Sequence, residues 1–123
     1  MIFKHGKFTL ASGLQSNFKI DCDDLTDDEL YTLALQSYQF LPRFKEVYGV
    51  PTGGLRFAEQ MRKFVSEFGN ILVVDDVFTT GKSINNFVEV NNFDRNNVRG
   101  LVIFARNTPP VWIKSIFTMS LVC

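Results

Sequence analysis

The stretch Ile71–Ser83, with the sequence ILVVDDVFTTGKS, decides the fold of this chain. It opens with four apolar residues, three of them β-branched, and such a run predicts a strand that is buried on both faces. The strand is predicted to end at Asp75 and Asp76, so its buried apolar part is followed directly by a polar edge. We expect the chemistry of the protein at that edge.

A phosphate-binding loop is predicted just beyond the two acids. The residues there supply hydroxyl groups, a glycine and backbone amides, and they precede a helix that is predicted from Ile84 to Phe93. The first amides of a helix lack partners within the helix and therefore attract anions. The predicted phosphate-binding residues are Thr79, Thr80, Gly81, Lys82 and Ser83.

Two carboxylates followed by an anion site suit a sugar phosphate. Asp75 and Asp76 would accept hydrogen bonds from vicinal hydroxyl groups or face a hydrated Mg²⁺, while the loop holds the phosphate. The stretch resembles the phosphoribosyl pyrophosphate (PRPP) motif of the type I phosphoribosyltransferases, in which an apolar strand, an acid pair and a T-T-G-x-S loop occur in this order. The alternatives are a buried strand with an acidic turn, and a phosphoacceptor receiver domain. A Walker A loop is excluded, because it requires a glycine where this chain has Asp76.

The composition indicates a single globular domain. The chain has 123 residues, of which 46% are hydrophobic, and it can bury a modest core. Thirteen basic and thirteen acidic side chains balance, so no overall charge attracts nucleic acid or an anionic membrane. Cys22 and Cys123 are interpreted as free thiols in a reducing cytosol. Neither a signal peptide nor a membrane span is predicted, and we expect a cytoplasmic location.

A hairpin is predicted near the start of the chain, in Phe8–Asp21, around a Ser-Gly turn. It resembles the amino-terminal hood of the orotate phosphoribosyltransferases, a segment with the consensus sequence F-T-x-x-S-G-x-x-S-P/N-x-x-x-D. In those enzymes the segment folds over the base. The resemblance therefore implies that Ser12, Phe18 and Lys19 lie near the nucleobase, and the alternative is an ordinary edge hairpin.

A second loop is predicted between a strand at Glu46–Val50 and a helix at Leu55–Phe68, whose apolar residues, including Phe68, are assigned to the core. A glycine pair in this loop lets the backbone approach a ligand closely. The segment Gly49–Ala58 resembles the pyrophosphate loop of the same family. Arg56 is the candidate for a positive charge beside pyrophosphate, and a solvent-facing Arg56 is the alternative. The loop residues assigned to pyrophosphate are Thr52, Gly53 and Gly54.

Three further segments complete the prediction. Thr26 and Glu29 are predicted to form a capping box at the start of a helix. Val98–Ala105 is predicted as a strand, and the resemblance implies that Arg106 beyond it recognises the base, with a surface charge as the alternative. The apolar residues from Trp112 to Leu121 either cover the core or contact a second copy of the chain. A homodimer is therefore one of the two alternatives.

The predicted fold is α/β, an open, mainly parallel sheet with flanking helices and its ligand at the carboxyl ends of the strands. Residues 1–25 are assigned to the hood of this single domain, and residues 26–123 to its PRPP-binding core. The resemblance implies an enzyme that moves the phosphoribosyl group between PRPP and a nucleobase, favouring an orotate-like pyrimidine, and that releases pyrophosphate. Mg²⁺ would be held through ligand and water near Asp75 and Asp76, not by direct protein ligands.

The competing hypothesis is a PRPP-binding or nucleotide-binding regulatory module without catalysis. It is prompted by a departure from the family between the two loops. Orotate enzymes insert another strand and a long mobile loop there, which brings basic residues over the reacting centre. This chain has only Leu55–Asn70 in that interval, and the predicted helix takes up nearly all of it.

Overall fold

The computed structural model of this chain describes residues 3–9, 15–20 and 22–119. The strands in these residues are β1 (Phe3–Thr9), β2 (Gln15–Ile20), β3 (Phe44–Gly49), β4 (Asn70–Phe78), β5 (Val98–Ala105) and β6 (Ile113–Thr118). The α-helices are α1 (Asp27–Ser37), α2 (Leu55–Met61) and α3 (Lys82–Val90). Short 3-10 turns follow α1 and α2, at Tyr38–Phe40 and Arg62–Phe64.

Four of the strands form one parallel sheet in the order β3-β4-β5-β6. Its register places Val47 of β3 beside Leu72 of β4, and Leu72 beside Arg99 of β5. The carboxyl ends of parallel neighbours lie at the same edge of a sheet. The loops that follow β3 and β4 are therefore neighbours, and the predicted open parallel α/β sheet is confirmed.

Helices cover both faces of this sheet, which explains the unbroken apolar run in β4. Leu72 and Val74 pack in the cluster that contains residues of α1 and α2, whereas Val73 packs in the cluster that contains residues of α3. All three side chains are almost fully buried. In a strand covered on both faces, every side chain is buried, so apolar residues do not alternate with polar ones along its length.

The amino-terminal hairpin and the capping box are confirmed. β1 and β2 pair antiparallel, from Phe3 opposite Ile20 to Thr9 opposite Gln15, so the hairpin begins earlier than the predicted Phe8. At the start of α1, Thr26 Oγ1 accepts the N–H of Glu29 at 3.1 Å. The Glu29 carboxylate in turn accepts the backbone N–H of Thr26 at 2.9 Å. This bond, together with one from the Thr26 side chain, lowers the pKa of Glu29.

β4 is longer than the sequence predicts. The predicted strand ends at the acid pair, but the observed strand continues to Phe78. β5 supplies partners beyond the acids, because Val77 lies beside Phe104 and Phe78 beside Ala105. The acid pair consequently lies inside the strand, close to its carboxyl end.

α2 is shorter than the sequence predicts, and the assignment of Phe68 to the core is wrong. The backbone N–H of Ser66 is donated to Phe44 O, and that of Asn70 to Arg43 O. These bonds return the chain to the start of β3 before the helix can continue. Phe68 is 71% exposed as a result.

Two boundaries near the carboxyl end also differ from the prediction. α3 begins at Lys82 instead of Ile84, and it ends at Val90. β6 is not among the predicted strands, because its residues follow no clear alternation: after the buried Ile113 and the exposed Lys114, both Ser115 and Ile116 are half-buried. Among the described residues, no helix has the length and apolar character needed to cross a membrane.

Candidate functional site

The loop after β4 turns at Gly81. This residue has a φ of 83°, in the left-handed region that glycine adopts readily. A Cβ atom there would lie 2.9 Å from the ring of Phe78 and 3.1 Å from Nδ2 of Asn85. Backbone conformation and packing therefore both require glycine. Because α3 starts directly after it, Lys82 and Ser83 carry the first amides of the helix.

A cavity of about 420 Å³ opens beside this loop. Its volume suits a small ligand. Asp75 lies in its wall, with Val77 and Val102. The structure thus brings the first acid together with the complete predicted phosphate loop. The loop residues that line the cavity are Thr79, Thr80, Gly81, Lys82 and Ser83.

Asp75 is buried, with 7% of its surface exposed. One of its oxygens, Oδ1, accepts the backbone N–H of Asp76 at 2.8 Å. Burial raises the pKa of Asp75 to about 8, and hydrogen bonding and charge from the Asp76 carboxylate act in the same direction. The raised pKa favours the neutral form of Asp75, which can donate a proton in a hydrogen bond.

The second acid, Asp76, contacts the other loop. Its Oδ1 accepts the backbone N–H of Val77 at 2.7 Å. A Cβ atom on Gly53 would lie 2.5 Å from Cγ and 2.7 Å from Oδ1 of Asp76, closer than real atoms approach. The absence of a side chain at Gly53 therefore lets this carboxylate lie against the loop after β3. The two acids face the two predicted ligand loops, one each.

Gly54 holds the backbone of the same loop against β4. Its N–H is donated to Val50 O at 2.8 Å, and the N–H of Val50 is donated to Val74 O at 2.8 Å. A Cβ atom on Gly54 would lie 2.8 Å from the backbone nitrogen of Val50. The amide of Gly54 is thus bonded within the loop, and the assignment of Gly54 to pyrophosphate stays a prediction. The peptide bond between Pro51 and Thr52 is cis.

Arg56 points toward the start of α1. Its Nη2 donates to Asp27 Oδ1 and to Leu25 O, both at 2.9 Å. Both side chains of this ion pair are well exposed, 46% for Arg56 and 78% for Asp27. Such a pair contributes only about 0–1 kcal/mol. A role of Arg56 toward pyrophosphate stays a prediction.

The residues assigned to the base fall in two regions. Arg106 directly follows β5, and its backbone N–H is donated to Phe78 O at 2.9 Å, which places it beside the end of β4. Burial lowers the pKa of Arg106. Phe18 and Lys19 lie on β2, but their side chains, like all of Ser12, are outside the described residues, so their assignment to the base stays a prediction.

Two asparagines at this site are absent from the predicted set. Asn85 Nδ2 donates to Gly81 O at 2.8 Å, and Asn107 Nδ2 donates to Thr79 O at 3.2 Å. The position of Asn85 four residues after Gly81 is a signal that the sequence does contain, because residues at this spacing are neighbours on a helix. Asn107 is distant in sequence, and only the tertiary fold brings it to the loop.

The acid pair suits a hard cation such as Mg²⁺, which prefers oxygen ligands. In the part of the chain that the structure describes, no group of three or more His, Cys, Asp or Glu side chains is arranged to hold a metal. Mg²⁺ commonly takes one or two carboxylates and completes its shell with water and substrate phosphate. Because Asp75 favours its neutral form, Asp76 is the acid of the pair that fits that second arrangement.

Known proteins resemble the chain in sequence and in fold, although no protein-family model matches it. An orotate phosphoribosyltransferase of Pyrobaculum aerophilum is 30% identical over 129 aligned residues, which cover 82% of this chain and 67% of that protein. One from Aeropyrum pernix is 34% identical over 114 residues, covering 69% and 61%.

Solved structures agree with these relatives. The crystal structure of orotate phosphoribosyltransferase from Aeropyrum pernix has a TM-score of 0.72 at 27% identity, with 96% of this chain and 89% of that chain covered. The orotate phosphoribosyltransferase of Mycobacterium tuberculosis, at 18% identity and a TM-score of 0.68, shares the fold over 95% of this chain and 89% of that chain. With its parallel sheet and its identity to the Pyrobaculum protein, the chain belongs to the orotate phosphoribosyltransferase family, one of the type I phosphoribosyltransferases.

Proposed function

We propose that this protein transfers the phosphoribosyl group between PRPP and a nucleobase, favouring an orotate-like pyrimidine, and releases pyrophosphate. The relatives named above are orotate phosphoribosyltransferases, which supports this reaction class. In the reaction, a ring nitrogen of the base forms a bond to C1 of the ribose while the bond from C1 to pyrophosphate breaks.

The observation that carries the proposal is the position of the two acids between two loops. Asp75 lies in the wall of the cavity formed by Thr79–Ser83, and Asp76 lies against Gly53 in the neighbouring loop. A ligand with a phosphate at one end and pyrophosphate at the other would span this arrangement, with its ribose over the acids. PRPP has that chemistry.

Each part of the site has a proposed task. Amides and hydroxyl groups of Thr79–Ser83 bind the 5′-phosphate. Asp75, as a neutral acid, can both donate to and accept from a ribose hydroxyl, whereas Asp76 contributes negative charge near C1. Thr52 and Gly53 would line the pyrophosphate side, and Arg106 the base side. Because the transition state resembles an oxocarbenium ion, placing the reactants and neutralising the departing diphosphate are the main requirements.

Mg²⁺ is part of this proposal. When bound, it would neutralise pyrophosphate oxygens and make pyrophosphate a better leaving group. Asp75 and Asp76 would hold its water shell. Removal of Mg²⁺ with a chelator is therefore expected to weaken PRPP binding as well as to stop turnover.

A non-catalytic PRPP-binding or nucleotide-binding module is the second candidate, and one observation favours it. The segment between the loops consists of α2, a 3-10 turn and a short return to β4, and β3 pairs with β4 directly. No further strand or long loop lies in that interval, all of which the structure describes. A site that stays open admits water and loses catalytic efficiency.

The deciding experiment is release of pyrophosphate. The protein is incubated with PRPP, Mg²⁺ and a panel of bases that includes orotate, and PRPP binding is measured in parallel by calorimetry. Release stimulated by one base supports the enzyme. Binding without release supports the module, and the absence of both refutes the proposed site.

Two variants locate any activity in this site. Asp76→Ala removes the acid beside Gly53, and Gly81→Val distorts the phosphate loop, so both are expected to lower PRPP affinity and release. Asp28→Ala is the matched control, since Asp28 is an exposed acid on α1. Equal effects of Asp76→Ala and Asp28→Ala would argue against the assignment.

A further inference from the structure

Two side-chain amides hold carbonyl groups of the phosphate loop. Asn85, on α3, donates to Gly81 O at 2.8 Å, and Asn107, just beyond β5, donates to Thr79 O at 3.2 Å. The two donors belong to different elements, yet they bind carbonyl oxygens on either side of Thr80. Neither asparagine has a part in the proposed chemistry described above.

The carbonyls matter because of the geometry of the peptide unit. In a trans peptide the C=O of one residue and the N–H of the next lie in one plane and point in opposite directions. A bond to Thr79 O therefore sets the direction of the Thr80 N–H, and a bond to Gly81 O sets that of the Lys82 N–H. A phosphate is attracted by N–H groups and repelled by carbonyl oxygens, so a loop that binds it must keep its carbonyls turned away.

The orientation of the Asn85 amide is itself fixed. Arg95 Nη1 donates to Asn85 Oδ1 at 3.2 Å, and a guanidinium can only donate. The Asn85 oxygen must face Arg95, which leaves its NH₂ group for Gly81 O. Arg95 is supported in turn by Glu89 at 3.6 Å and by the ring of Trp112, whose centroid lies 5.4 Å from the guanidinium carbon.

We propose that Asn85 and Asn107 are positioning residues that aim the amides of the phosphate loop at the 5′-phosphate of the ligand. This inference rests on the proposed function, because it assumes that the cavity receives that phosphate. Loss of the Asn107 amide removes the side-chain bond that holds Thr79 O, and loss of the Asn85 amide leaves Gly81 O held only by the backbone N–H of Asn85. We expect the affinity for a phosphorylated ribose to fall about fivefold to tenfold, which corresponds to the loss of one ordinary hydrogen bond.

The same helix provides a matched control. Gly81 O accepts both the backbone N–H of Asn85 at 3.0 Å and its side-chain amide at 2.8 Å. At the other end of α3, Phe87 O accepts the backbone N–H of Asn91 at 3.1 Å and its side-chain amide at 2.8 Å. Asn91→Ala therefore deletes the same kind of bond from the same helix, far from the loop in sequence.

The test measures binding of ribose 5-phosphate to the whole chain by phosphorus NMR, for the wild type and for Asn85→Ala, Asn107→Ala and Asn91→Ala. Besides affinity, the spectra give the second pKa of the bound phosphate, which is about 6 for a free monoester. Aimed amides favour the dianion and lower this pKa. In Asn85→Ala and Asn107→Ala it is expected to move back toward the free value, whereas Asn91→Ala leaves affinity and pKa unchanged.

A second variant separates positioning from folding. Asn85→Asp keeps a partner for Arg95 and places a negative charge in the first turn of α3, where it favours the helix. It cannot donate to Gly81 O when ionised. Its thermal midpoint is therefore expected to stay close to that of the wild type, while its affinity for ribose 5-phosphate falls more than that of Asn85→Ala, because its charge also repels the phosphate.

The outcomes are distinguishable. A wild-type protein that does not bind ribose 5-phosphate refutes the proposed function, and this inference with it. A wild-type protein that binds, with Asn85 and Asn107 variants that match Asn91→Ala in affinity and bound-phosphate pKa, overturns the positioning role alone. The same holds if Asn85→Asp retains full affinity.

Discussion

A methyl group added at Gly53 tests the contact between the acid pair and the loop after β3. An ideal Cβ at this position lies 2.5 Å from Cγ and 2.7 Å from Oδ1 of Asp76. Comfortable contacts between heavy atoms are about 3.5 Å, so the carboxylate must retreat by roughly 1 Å. Oδ1 is held at 2.7 Å by the N–H of Val77, and the retreat would break that bond.

The expected magnitude follows from that bond. Losing a hydrogen bond to a charged group destabilises a protein by about 1.5–3 kcal/mol. Replacing glycine with alanine also stiffens the unfolded chain, and this stabilises the folded state by about 0.4–1 kcal/mol. We therefore expect Gly53→Ala to lower the free energy of unfolding by about 1–2 kcal/mol. In an Asp76→Ala background the obstacle is absent, and the same methyl group should cost almost nothing.

Urea unfolding of the wild type, the two single variants and the double variant gives a double-mutant cycle, from which the coupling free energy between Gly53 and Asp76 is obtained. A coupling of about 1–3 kcal/mol supports the contact. Additivity within about 0.5 kcal/mol would refute the reasoning, because sites that do not touch behave in that way. Combining Gly53→Ala with Asp28→Ala is the control, and there additivity is the expected result.

Three further predictions concern single residues. Because the pKa of Asp75 is raised from 3.8 to about 8, the folded state keeps a proton that the unfolded chain releases, so the free energy of unfolding should fall as pH rises from about 4 to about 8. Asp75→Asn should flatten that fall in urea unfolding at several pH values; an unchanged slope would contradict the raised pKa. Gly81→Ala must adopt a φ of 83° and meet the Phe78 ring, so calorimetry should show a lower melting temperature and weaker PRPP binding, and normal binding would count against the loop. Thr26→Ala removes the capping box and should lower stability by about 1 kcal/mol in urea unfolding without changing PRPP affinity.

The parts of the fold that could be predicted are those encoded in short stretches. The run Ile71–Val74 determines a buried strand, the capping box determines the start of α1, and Val98–Ala105 is found with the predicted bounds. The end of α2 could not be predicted, because bonds from Ser66 and Asn70 to residues at the start of β3 compete with the helix. These bonds exist only once the sheet has formed.

In the candidate site, too, the contiguous segment could be predicted and the contacts between distant residues could not. The loop Thr79–Ser83 is contiguous in sequence, so its residue types alone indicate an anion site. The bonds of Arg56 to Asp27 and of Asn107 to Thr79 join residues separated by 29 and 28 positions. No local pattern contains such pairs, since the approach of the elements that carry them depends on the whole chain.

The stacking of Arg95 on Trp112 gives this protein an optical property. Trp112 is the single tryptophan of the chain, so its tryptophan fluorescence comes from one indole ring. That ring contacts Arg95, which holds Asn85, which holds Gly81. Emission from Trp112 is therefore expected to change, without any attached dye, when an anion occupies the turn at Gly81.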